Sequence, residues 1–399
     1  MSIVTPLCYT HAVIARGVSQ PILNLSIIFW LAAAGGAHQV LAAEEHIDPR
    51  ARLTPTDQER VNEPFRHAET FFFGPNYVEV PTGIAFWPSS ALKALQTIGQ
   101  GNKDAQAWLN QQWAAAKTAS TLPSHPLFNL RGPNAAVAVK DFESIIRFGL
   151  EARFNANAQS VKKAEEYLVA WANTYEPTGD PIDEEPMVGF VMGYELVRDG
   201  VSKDARRTID LFLRKLYNKQ ISFASEGIRI DNKVSRHLLT VGSIAFLIGG
   251  EAQKRYVDTM FQIQLDYNFY PDGSSYDYHL RDSVGYHVAT VQALYQLAWI
   301  AENNGLHWFQ RQGVSGRSFN KELDFVIPYA TGEKKHLEFA KSYIPSDKGR
   351  TAEFNPKVGR RLLTLAIGLD NKYRSYATIG ALDFSAIVLY LTLPNPILT

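Results

Sequence analysis

A chain of 399 residues, 46% hydrophobic and 20% charged, can bury a sizeable core in one large domain or two ordinary ones. Its 40 basic and 40 acidic residues balance, which argues against a nucleic-acid binder. The single cysteine, Cys8, lies near the start, so the rest of the chain has no disulfide, thiol nucleophile or cysteine metal site.

The first segment reads as a leader. Arg16 precedes an apolar run from Ile22 to Ala34, and Leu41-Ala42-Ala43 offers a cleavage site just before Glu44-Glu45. This plan predicts a secretory signal peptide over residues 1–43, hence a periplasmic or secreted protein. An uncleaved anchor is the alternative, but an apolar run of about 13 residues is short for a bilayer span, and no second candidate span follows. Cleavage removes Arg16, no acid, and Cys8, and leaves a net charge of −1.

Residues 44–85 carry Pro and Gly interruptions and read as irregular. Apolar residues then recur near the helical period over Lys103–Ala119, Val137–Phe154, Val161–Tyr175, Pro186–Asp199, Lys203–Lys219 and Asn232–Ile248. The same period continues over Ala252–Phe269, Asp282–Asn303, Val358–Leu369 and Tyr373–Leu391. Strand-type alternation is scarce. Roughly ten to twelve helices joined by short or medium loops form hairpins, which must bury their apolar stripes against one another. No repeat is visible and no linker isolates a second domain. Residues 44–399 therefore read as one all-α domain, an (α/α) toroid or incomplete barrel of about six to seven helical hairpins.

Aromatic residues make up 12% of the chain, which suits a core first and a sugar-stacking cleft second. Between Arg311 and Arg361, 11 basic residues face 6 acidic ones, a local excess of +5 that can attract a polyanion. No HExxH, Walker A, GxSxG or dinucleotide fingerprint is present. Any catalysis therefore falls to side chains on a cleft wall, with no cofactor or metal implied.

The densest polar and aromatic cluster runs Asp272–His287 and contains Tyr276, Asp277, Tyr278, His279, Arg281, Asp282 and Tyr286. Asp282 can cap the following helix, whose stripe is Val284, Val288, Val291 and Leu294. Tyr286 and His287 point about 100° apart on that helix, and on spacing alone Tyr286 is also readable as a core tyrosine. A second cluster, Asp231–His237, opens a helix whose stripe is His237, Val241, Ala245 and Ile248. The loops Pro177–Glu184 and Tyr329–Phe339 are the remaining polar stretches, the latter turn-like and then alternating.

Three stretches taken in order resemble the alginate lyase superfamily of polysaccharide lyases. AEEYLVAWANTYEPTGDPIDE, from Ala164, is similar to the family's helix and PTGNPINE-type loop. DGSSYDYHLRDSVGYHV, from Asp272, resembles its DGSS…RDALHYHVY segment, and YATGEKKHLEF, from Tyr329, resembles a signature of polysaccharide lyase family 38 and its relatives. The likeness to family 38 and to the family 5 type alginate lyases spans roughly Val137 to Asp370. It departs from the family around residue 232, where the His and Arg of Ser235-Arg236-His237 are exchanged and Lys233 replaces an aromatic residue.

The resemblance implies β-elimination of a β-1,4-linked uronate polymer, with alginate or poly-mannuronate the first expectation and glucuronan the next. That reaction removes the C5 proton beside a carboxylate, so the carboxylate needs neutralising donors, a base must take the proton, and an acid must protonate the leaving oxygen. Asn232 and Arg281, with Arg236, are the candidates for the carboxylate, His237 for the base, and Tyr286 for the acid or for both tasks. His279, His287, His336 and Lys334 are candidate substrate-binding residues, and Lys348 a weaker one. The expected partner is an acidic polysaccharide. A glycoside hydrolase using two of Asp183, Glu184, Asp277 and Asp282, or a non-catalytic exported polysaccharide-binding protein, are the competing readings.

Overall fold

The computed structural model describes residues 49, 53–66, 71–72, 82–131, 134–224 and 230–376. The expected signal peptide and most of the expected helix Tyr373–Leu391 lie outside the described residues. All the described residues fall in one structural unit.

Thirteen α-helices lie among the described residues. They are α1 Pro55–Asn62, α2 Ser89–Gly101, α3 Lys103–Ser120, α4 Asn134–Asn155, α5 Ala158–Thr174, α6 Met187–Val197 and α7 Lys203–Ala224. There follow α8 Asn232–Ile248, α9 Glu251–Ile263, α10 Tyr276–Arg281, α11 Val284–Glu302, α12 Phe319–Thr331 and α13 Pro356–Ala366. Two two-residue strands, β1 Leu337–Glu338 and β2 Ala352–Glu353, pair antiparallel.

The packing separates two layers. Helices α4, α6, α8, α11 and α13 touch in sequence, each one the next. Helices α3, α5, α7, α9 and α12 pack against them from the other side. This is the alternation of an (α/α) toroid, with five inner–outer pairs among the described residues. The residues explain the assignment. In α6 every residue except Gly189 is buried, and in α8 only Lys233 and Arg236 are not. A helix that is apolar on all sides must sit between other helices. Helices α7 and α9 bury one stripe and leave charged residues outside. Trp171, Trp308, Tyr167, Tyr194, Tyr217 and Tyr295 are among the largest fully buried side chains, so much of the aromatic content serves the core.

Several details differ from the periodicity. A capping box between Thr54 and Asp57 starts α1 inside the stretch expected to be irregular. Helix α12 was hidden by Pro328, which lies near its end, and by the charged run after it. Its last turn holds Tyr329–Thr331, and Gly332 closes it at φ 80°. The expected helix Ala252–Phe269 finishes as a π-turn over Gln264–Asn268. Asp282 is not the cap of α11. It ends α10 in the left-handed conformation at φ 49°, and Ser283 caps α11 by accepting from the Tyr286 N–H at 3.1 Å.

Candidate active site

The N-termini of α8 and α11 meet at a short connector, α10. Its entry depends on Gly273, at φ 90°, where a Cβ would lie 2.2 Å from the Lys321 carbonyl oxygen. Ser275 then caps α10 by accepting from the Tyr278 N–H. On the first turn of α10, buried Asp277 points back to α8. Its Oδ2 accepts from the Asn232 N–H at 2.6 Å and from the Thr290 hydroxyl of α11 at 2.9 Å. One carboxyl thus ties three helices at the point where Asn232 begins α8. Burial, and then the charge of Asp231, raises the Asp277 carboxyl above the ordinary range.

One turn further along α10, Arg281 lies over the ring of Tyr286, 4.0 Å from its centroid. The guanidinium is held in place by Asp347, which is fully buried and accepts from both Nε and Nη2. Ser342 and Arg350 also donate to Asp347. Burial works against the Arg281 charge, but the Asp347 bonds and the proximity of Tyr286 outweigh it and raise its pKa. Phe339 meets the other side of Tyr286 edge-on at 5.9 Å. The Tyr286 hydroxyl has no hydrogen-bond partner among the described residues, and the side chain is partly exposed. Glu338 fixes the start of this helix by accepting from the Ser283 hydroxyl and the N–H groups of Val284 and Gly285.

Asp277 thus ties the start of α8, at Asn232, to α10, and Arg281 at the end of α10 stacks on Tyr286 of α11. Arg236 lies on the same end of α8 but is paired with Glu185. His237 is elsewhere: it is fully buried, with Nδ1 3.2 Å from Gln220 Oε1 and Nε2 2.9 Å from the Tyr256 hydroxyl. Because the Gln220 amide donates to Glu184, its oxygen accepts from Nδ1–H, and Nε2 accepts from Tyr256. Burial lowers the His237 pKa to about 3. A histidine without solvent contact and with both nitrogens engaged cannot reach a substrate proton. This corrects the expectation for His237, whose place on the apolar stripe of α8 buries it.

His287 is also a core residue. It packs on Phe325, bonds the Glu322 carbonyl at 3.0 Å, and is lowered by burial to about 4. It therefore offers a sugar nothing to hold. His279 is bound to Ser274 at 2.7 Å and lies against Tyr270. His336 bonds the Asp282 carbonyl at 3.0 Å, and Lys334 lies over the Tyr329 ring, so these two belong to the neighbouring Tyr278–Tyr329 cluster. Lys348 is exposed beside Asp347. In the basic stretch Lys335 pairs with Glu353 and Arg350 with Asp347, acids that the excess of +5 already counts, while Arg311 pairs with Asp258 outside it.

The two buried histidines predict a pH effect. Their folded pKa values lie below the ordinary histidine value of about 6.5, so their stabilising contribution is present above that pH. It is lost as pH falls through the window down to about 4 for His287 and about 3 for His237. Thermal unfolding should show a lower Tm on acidification, and His237→Gln should remove part of that drop while retaining most of the activity. Loss of activity in His237→Gln at unchanged Tm would instead restore a chemical role for this residue.

The family model described as alginate lyase matches residues 96–336. The chain belongs to the alginate lyase family. It is a polysaccharide lyase, and Asn232, Arg281 and Tyr286 all lie within the matched span, while Phe339 and Asp347 lie beyond it. The fold of the lyase is similar to that of an alginate lyase from Bacteroides ovatus, at TM-score 0.59 and 12% identity over 78% of this chain and 99% of that one. It is also similar to a variant of alginate lyase A1-III from Sphingomonas species A1 complexed with a tetrasaccharide, at TM-score 0.53 and 14% identity, covering 78% and 97% of the two chains. No curated protein matches the sequence.

Proposed function

We propose that this lyase is an exported enzyme that cleaves a β-1,4-linked polyuronate by β-elimination, with poly-mannuronate blocks of alginate the first substrate and glucuronan the next. The observation that carries the reading is the partly exposed Tyr286, with an unpartnered hydroxyl, stacked under an Arg281 that buried Asp347 holds still. In the proposed step the side-chain amide of Asn232 binds the uronate carboxylate, the first backbone N–H groups of α8 being taken by Asp231 and Asp277. Tyr286 as phenolate takes the C5 proton, the C4=C5 double bond forms, and the C4–O bond breaks. The same tyrosine returns the proton to the leaving oxygen. Arg281 sets positive charge against the ring that carries negative charge during this cycle. No histidine base is required, in keeping with the burial of His237.

A hydrolase needs two carboxyls facing each other across the glycosidic bond. Three of the four candidates serve the fold instead. Glu184 accepts from Tyr175, Thr178, Gly179 and Gln220. Asp277 holds Asn232 and Thr290, and Asp282 accepts from the Lys341 N–H.

A panel of poly-mannuronate, poly-guluronate and glucuronan, read by ultraviolet absorbance of the unsaturated product, tests the proposal. Poly-mannuronate should give the fastest rise. Absence of a rise on all three polymers would contradict the substrate class.

A further inference from the structure

Phe339 stands in a backbone conformation that an aromatic residue rarely adopts. It directly follows β1 at φ 65°, in the left-handed region that favours glycine. The turn is pinned there from the end of α10. The Phe339 N–H donates to the Asp282 carbonyl at 2.7 Å, the Lys341 N–H to Asp282 Oδ2, and the Tyr343 N–H to the Leu280 carbonyl. Asp282 is itself left-handed, at φ 49°. The Phe339 side chain is only partly buried and stands apart from the hydrophobic core, so core packing does not account for the strain. Its aromatic and cationic neighbours among the described residues are the Tyr286 ring and the Arg350 guanidinium, the latter 4.7 Å from its centroid.

These two neighbours close a circuit. Arg350 donates to Asp347 Oδ1 at 2.9 Å, Asp347 holds Arg281, Arg281 lies over Tyr286, and Tyr286 meets Phe339. One buried carboxylate thus fixes both guanidiniums, and each guanidinium covers one of the two rings. Phe339, Asp347 and Arg350 all lie beyond the span 96–336 that the family model matches. Backbone strain persists only where its surroundings impose it, and it gathers at sites where the placement of a side chain matters.

We propose that Phe339 is a positioning residue for Tyr286, its strained turn serving to press one ring against the other. This rests on the proton-transfer role proposed for Tyr286. A cation over a ring face leaves the ring free to slide beneath it. A second ring, its plane at 80° to the first, blocks that slide. The hydroxyl is then held where the C5 proton arrives, and a misplacement of about 1 Å at such a point costs on the order of 10²-fold in rate.

Phe339→Asn and Phe339→Tyr, assayed on poly-mannuronate beside the wild type and Tyr286→Phe, test this. Asn tolerates the left-handed backbone, so the turn survives and only the ring is lost. The Asn variant should lose about 100-fold in kcat, with KM within about twofold and Tm equal to or above that of the wild type. The Tyr variant, which keeps a ring, should recover most of the loss. Added to Tyr286→Phe, the Asn substitution should cost less than about twofold more, because it acts through the Tyr286 hydroxyl. An Asn variant within about twofold of wild-type kcat, a Tyr variant as impaired as Asn, or a full additional loss in the double variant would overturn the assignment. A loss of kcat matched by a fall in Tm would make Phe339 a structural residue and overturn it as well. Near-full turnover in Tyr286→Phe would overturn the Tyr286 reading itself, and this proposal with it.

Discussion

Tyr286→Phe is expected to lower lyase turnover by at least about 10³-fold, because it removes a group assigned both proton transfers, each contributing on the order of 10²–10⁴-fold. The loss should fall on kcat and not on the fold. The hydroxyl has no hydrogen-bond partner among the described residues, while the ring keeps its contacts with Arg281 and Phe339. Circular dichroism and Tm should therefore match the wild type, and substrate binding measured by quenching of intrinsic fluorescence should persist. Near-full turnover in the Phe variant would remove Tyr286 from the chemistry and leave it as a packing residue under Arg281.

Asp347→Ala should damage both stability and activity. Asp347 is fully buried and accepts from Arg281, Arg350 and Ser342 at once. Removing it leaves the largely buried Arg281 guanidinium without its counter-charge, a change that costs about 3–5 kcal/mol in comparable buried pairs. Chemical denaturation should show a loss of that order. Turnover should fall as well, because Arg281 is no longer pinned over Tyr286. Arg281→Met on the same background should then cost little more, since the two residues act as a unit. Strict additivity of the two substitutions in kcat would show that Asp347 does not act through Arg281.

The fold was legible because helix period and succession survive in the sequence. Helices α3 to α9, α11 and α13 follow their apolar spacing within a few residues. What spacing does not encode is which helix lies inside the ring. In α6 nearly every position is apolar or small, so no face is marked, and in α8 and α11 most positions off the apolar stripe are buried as well, so packing decides. Helix α10 was invisible for a different reason: at six residues it is too short to display a period, and only Ser275 at its start signals it.

The site was half legible. Asn232 and Tyr286 sit at helix starts and Arg281 at the end of α10, all within stretches that stand out for their density of polar and aromatic side chains. His237 stands in an equally suggestive stretch, yet it falls on the stripe with Val241, Ala245 and Ile248, and that stripe faces the core. Its hydrogen-bonding capacity is used by Gln220 and Tyr256 on other helices, a fact no local pattern carries. Asp347 was missed outright. Its partner Arg281 is 66 residues away, and an aspartate inside a basic stretch looks like ordinary charge scatter. Asp277 was visible only as a spare carboxylate, because its role depends on α8 and α11 arriving on either side of it.

Tyr286 is proposed to break a glycosidic bond by elimination. Counting two kinds of chain end in one digest of poly-mannuronate tests it most directly: new reducing ends by colorimetry and unsaturated uronate ends by ultraviolet absorbance. Elimination predicts one unsaturated end for every new reducing end throughout the reaction. Reducing ends that accumulate without matching absorbance would mean that water is added across the bond, and would contradict the account.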